Sequence, residues 1–182
     1  MRIRSKLLAS LLVGIVSLFT TQSQSASETD PSSIEAFVRE RSLAEQWARR
    51  VKERYQPGDR LYRTADVLYG NAQSSANALL TRLVLQLELG KSIQDDKEIA
   101  DSVSNCVTQA EVFVMFARSA YLGEAQPMTS PQSLADGLAP LLTAVTNAAV
   151  DVWKQYTAAN QTRRDEIKKQ LNAMMWKDFR EI

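Results

Sequence analysis

Beyond residue 33, apolar residues return every three or four positions through nearly the whole chain, and no segment alternates apolar with polar over a useful length. A period near 3.6 lines such residues along one face of a helix, whereas a half-buried strand needs a period of two. The fold class read from this pattern is all-α, an antiparallel bundle of four to five helices joined mostly by short breaks. With 182 residues, of which 45% are hydrophobic and only 6 are Gly and 5 Pro, the chain has material for one core and too few breakers for a loop-rich or disordered protein.

The helix limits come from caps and breakers. Ser32 and Glu35 form a capping box ahead of Ile34, Phe37, Val38, Ala44, Trp47, Ala48, Val51 and Tyr55, and Gln56-Pro57-Gly58 stops this first helix. Asp59 caps a second helix that runs to Gly90. Ser92 with Asp95 opens a third near residue 93, apolar on every side at 112–117 and therefore central. Ser130-Pro131 opens a fourth, in which Gly137 and Pro140 impose a bend or split off a short first turn. Thr162 with Asp165 marks a fifth helix, or a continuation of the fourth, carrying Ile167, Leu171, Met174, Met175 and Phe179.

Ahead of this domain, Arg2, Arg4 and Lys6 precede an apolar stretch from Leu7 to Phe19 and a polar small-residue segment from Thr20 to Ser27. This is the layout of a secretory signal peptide. The apolar stretch is 13 residues long, against about 20 for a membrane-crossing helix. The expected division is a signal peptide over 1–25, cut between Ser25 and Ala26, a short lead over 26–32, and a single helical domain over 33–182. The expected location is periplasmic or secreted, without a stable membrane anchor after cleavage.

Cleavage takes three basic residues from the chain's 22, leaving 19 against 21 acidic residues, a net charge of −2. Such a balance gives no electrostatic reason to bind nucleic acid or an anionic membrane surface. With no histidine and one cysteine in the chain, catalytic Ser-His-Asp and Cys-His arrangements, histidine-ligated haem and an intramolecular disulfide are all excluded. No metal site, cofactor or catalytic residue is assigned. Cys106 lies among Val103, Val107 and Ala110 at helical spacing, which places it in the core.

Two groups of residues stand out as candidate sites. Arg41 and Glu111 interrupt apolar helix faces and form the candidate buried polar site; a buried carboxyl at 111 would titrate high, whereas one at the stripe's edge would reach water. Met175, Trp176 and Phe179 form the candidate interaction surface, because Met174 to Phe179 holds more large apolar groups than one core-facing stripe needs. The cluster Arg49, Arg50, Lys52 and Arg54, interleaved with Glu45 and Glu53, reads as a solvated face laced with ion pairs.

The segment Gln161 to Leu171 resembles the repeated helix motif of the Spy and CpxP stress proteins. It lacks the leading Leu-Thr and the paired Gln of that motif and is not repeated, so no residue role is carried over. The function expected is that of an exported, non-enzymatic accessory or binding protein of immunity, secretion or chaperone type, with another protein or a second copy as partner. The alternative is a histidine-independent, all-α secreted enzyme for a small anionic substrate. That class resembles the secreted chorismate mutases, whose Ala-Ala-Phe-Lys-like motif has no counterpart in the first helix.

Overall fold

The computed structural model of the chain describes residues 32–94, 96–123 and 131–182, with side chains from 35 onward and, in the fourth helix, from 138 onward. The expected leader, its cleavage site, most of the short lead and the Ser32 side chain of the first capping box lie outside the described residues.

Five α-helices and one short 3-10 turn make up the described secondary structure, and no strand occurs among the described residues: α1 Ser32–Arg54, α2 Arg60–Glu88, α3 Lys97–Leu122, α4 Pro131–Ala158, α5 Gln161–Ala173, then Phe179–Glu181. The protein is all-α, as the periodicity requires. The centre is α3, which packs against α1, α2 and α4, and its most extensive partner is α2. Small residues make that approach close, since Ala65, Ala72 and Ala76 of α2 are buried. Cys106 is buried in the same core and is a free thiol.

The limits of α2 at Asp59 and Gly90 agree with the sequence reading, whereas the starts of α3 and α5 differ from it, each for a local reason. Asp59 is the N-cap residue of α2, in extended conformation, but its carboxylate accepts from the Gln56 N–H at 2.7 Å, closing the Gln56–Asp59 turn, and makes no hydrogen bond to the helix's own N–H groups. The end of α2 is a Schellman motif: Gly90 takes φ 64°, the Gly90 N–H reaches the Leu87 carbonyl at 3.2 Å, and the Lys91 N–H reaches that of Gln86 at 3.1 Å. The third helix starts at Lys97, four residues beyond the expected 93, because Asp96 is the cap. Its Oδ1 accepts from Glu98 N at 2.8 Å and Ile99 N at 3.2 Å. The start of α5 is set by Asn160, which accepts from Arg163 N at 3.0 Å, and not by Thr162. The break at Ala159 and Asn160 makes α4 and α5 separate helices, and α4 itself runs without interruption through Gly137 and Pro140.

The largest departure is at the C-terminus. Helical spacing leads to an expectation of helix through Phe179, yet α5 ends at Ala173 and residues 175–178 are irregular. Side chains of α1 and α2 capture the backbone that would have continued the helix. Arg41 Nη1 donates to the carbonyls of Ala173, at 2.9 Å, and Met175, at 3.4 Å. Asn77 and Gln73 hold the backbone of Trp176, and Lys52 donates to the carbonyls of Phe179 and Arg180. Trp176 and Phe179 then turn inward onto Tyr69, with ring centroids 5.7 and 5.5 Å from it, while Phe113 of α3 meets Tyr69 edge-on at 5.1 Å.

Candidate functional site

The stripe of α1 that packs inward carries Phe37, Ala44, Ala48 and Val51. Glu40 stands three residues after Phe37 and four before Ala44, so the same helical register carries a carboxylate toward α3 and α4. There α1, α3 and α4 enclose a cavity of about 120 Å³. Leu43, Val107, Val114, Leu141 and Val145 supply most of its wall, and its charged lining is Glu40 and Glu111, with the exposed Arg39 as the cation.

Glu40 is in an unfavourable place for a charge. Its Oε1 is fully covered and has no hydrogen-bond partner among the described residues. Burial, and secondarily the negative charge of Glu111, push its carboxyl up from 4.5 to about 7. The Glu111 carboxyl is also raised, by burial. Cys106 lies close enough for the field of Glu40 to matter: burial first and Glu40 second push its thiol up to about 12. That thiol stays protonated and unreactive at neutral pH. The arrangement can exchange a proton near neutrality, attract a cation and repel a dianion.

The sequence-derived polar pair is not brought together. Glu111 lines the cavity, but Arg41 faces the end of α5, where it joins Glu45 at 2.8 Å and the two carbonyls of the C-terminal segment. Its role is to stop a helix and fasten a tail. The residue that does join Glu111 is Glu40, which the sequence reading does not single out because it is one charge among several on α1. The signal was available as a vacancy at position 40 in the three-and-four spacing from Phe37 to Ala44.

The expected interaction surface is corrected at two of its three residues. Trp176 is 6% exposed and Phe179 1% exposed, so both belong to the core, and Met175 is half-buried against it. The surplus of apolar groups that suggested an outward face is absorbed because the chain leaves the α-helix and buries Trp176 from an irregular stretch and Phe179 from the 3-10 turn that follows it.

The basic cluster of α1 departs from the ion-pair reading in part. Arg49 pairs with Glu45 at 3.9 Å. Arg50 instead lies over Trp47 and Tyr121, at 4.6 and 5.8 Å, and Arg54 over Tyr55 and Tyr121, at 5.9 and 5.7 Å. These guanidinium groups cover aromatic faces where α1 meets α3. No group of three or more His, Cys, Asp or Glu placed to hold a metal ion occurs among the described residues, and none of the described helices is long and apolar enough to cross a membrane.

No protein-family model matches the chain, and comparison with curated proteins and with solved structures likewise gives no match.

Proposed function

We propose that this chain is an exported, periplasmic protein, released from a cleaved leader, whose helices form an antiparallel bundle and which acts without catalysis by binding another protein or a second copy of itself. Its role is that of an accessory factor of the chaperone, secretion or immunity kind. The observation that carries this reading is the α1/α3/α4 cavity with its rim. The wall is apolar, Leu43 is left 41% exposed beside it, and the cavity's charge is carboxylate. An apolar hollow with a few polar groups and an exposed leucine at its edge supplies the elements of a protein contact.

The same lining weighs against an enzyme for a small dianion. Holding a dianion takes several convergent cations, and here two carboxylates face one guanidinium.

Two experiments test the proposal. The full chain expressed in its native host is expected in the soluble envelope fraction, shortened to begin near Ala26; full-length chain retained in the cytoplasm would contradict export. The mature chain, tagged at its N-terminus because the C-terminal segment is packed into the core, is expected to co-purify with one stoichiometric protein or a second copy. That association should be lost in Leu43→Asp without loss of thermal stability. A monomer with no partner, or a partner retained by Leu43→Asp, would contradict the reading.

A further inference from the structure

The cavity between α1, α3 and α4 has a chemistry more specific than apolar contact. Among the described residues, the charged or titratable groups facing Glu40 are Arg39 on its own helix and Glu111 and Cys106 on α3, with none among the α4 residues that line the cavity, which are Leu141, Ala144 and Val145. Arg39 is exposed, and Cys106 remains neutral. Glu40 and Glu111 are both half-buried, and the field inside is that of two acidic groups set among aliphatic walls, negative at Glu111 and, as it ionises, at Glu40. One oxygen of Glu40 is fully covered and accepts no hydrogen bond.

A buried acceptor left without a donor is costly, and a cation with N–H donors removes that cost while neutralising the repulsion between the two carboxylates. The rest of the occupant must be apolar and small. Cavities of about 150 Å³ hold a benzene-sized molecule, so 120 Å³ suits a chain of about five heavy atoms. A guanidinium is planar and broad, whereas an ammonium on a flexible stem is compact and brings three donors.

We propose that this cavity is a binding site for a primary alkylammonium group of four to five carbons, its ammonium between Glu40 and Glu111 and its methylenes against Val107, Val114, Leu141 and Val145. Two sources supply this chemistry, a free alkylamine and the side chain of a lysine. The lysine source rests on the protein-binding reading above and would deepen it, whereas the free-amine source is independent of any protein partner.

The test is a titration of the folded mature chain, followed by backbone amide NMR, with three probes: n-butylammonium, the neutral isostere 1-butanol, and Nα-acetyl-lysine methylamide. Saturable shifts confined to α1, α3 and α4 are expected with n-butylammonium and not with 1-butanol. Affinity should rise about tenfold from pH 6 to pH 8 as Glu40 ionises, and should fall about tenfold in Glu40→Gln and in Glu111→Gln. Matching shifts from the lysine amide support lysine as the source, and their absence supports the free amine. No saturable shift, equal binding of 1-butanol, or binding unchanged in both glutamine variants would overturn the site. Glu40→Gln keeps the side chain's shape and removes only a buried charge, so loss of fold does not obscure the result. Failure of this titration leaves a protein partner captured through Leu43 standing, and failure of that capture leaves amine binding standing.

Discussion

Asn77 grips the backbone of Trp176 from both sides, its Oδ1 accepting from the Trp176 N–H at 2.8 Å and its Nδ2 donating to the Trp176 carbonyl at 3.2 Å. An amide offers an acceptor and a donor at that spacing without carrying charge or titrating, and it replaces the two bonds that a continuing helix would have given this residue. Removing it leaves the partly buried Trp176 N–H without its acceptor, while the carbonyl keeps Gln73 Nε2 at 3.3 Å. Asn77→Ala is expected to cost about 2–3 kcal/mol of folding free energy. Asn77→Asp keeps the acceptor and should cost less, as measured by urea unfolding.

Trp176 tests the corrected surface assignment. Buried against Tyr69, it should cost about 3–5 kcal/mol when changed to Ala. Met175→Ala, at a half-buried position, should cost about 1 kcal/mol or less. Calorimetric melting of both variants checks the contrast; a Trp176→Ala variant melting with the parent protein would restore the exposed reading.

Glu40 gives stability a pH dependence of definite sign. Its carboxyl holds a proton to about pH 7 in the folded chain and to about 4.5 in the unfolded chain. Between those values the folded state binds more protons, so stability is greatest below about pH 4.5 as far as this group is concerned and declines as pH rises through 7. The fall is about 2–3 kcal/mol, allowing for partial exposure. Glu40→Gln should remove most of this slope and be the more stable protein at pH 8, read from urea midpoints at pH 5, 6.5 and 8.

Tyr69 is completely buried, and its hydroxyl has no hydrogen-bond partner among the described residues. Its ring contacts survive the change to Phe, while the unpaired hydroxyl is removed. Tyr69→Phe is expected to leave stability unchanged or raise it by about 1 kcal/mol. A loss above that size in thermal unfolding would show that the hydroxyl has a partner after all.

The helices themselves were legible because the apolar register from Phe37 to Val51 and from Ala65 to Leu87 admits only one period. Their ends were less so. Ser92 and Asp96, or Thr162 and Asn160, are both acceptable caps to a local rule, and which one serves depends on where the chain must leave the preceding helix. The C-terminal turn was not legible at all, since the groups that stop α5 at Ala173 are Arg41, Gln73 and Asn77, more than ninety residues earlier in the chain. Half of the charged pair was legible: Glu111 is conspicuous in the most apolar helix, whereas Glu40 sits among Arg39, Arg41 and Glu45, where a charged residue draws no attention. Only the packing of α3 against α1 separates it from its solvated neighbours.

Under the proposed function, the face around the α1/α3/α4 cavity is where this protein would meet its partner. The most direct measurement places a photo-crosslinking amino acid at Leu43, on the rim of the cavity, and at Val67, an exposed apolar position of α2 that is 63% accessible, in the chain exported by its native host. One discrete adduct from position 43, a second copy or a single other protein, with none from position 67, is the expected result. No adduct from position 43, or the same adducts from both positions, would contradict the account.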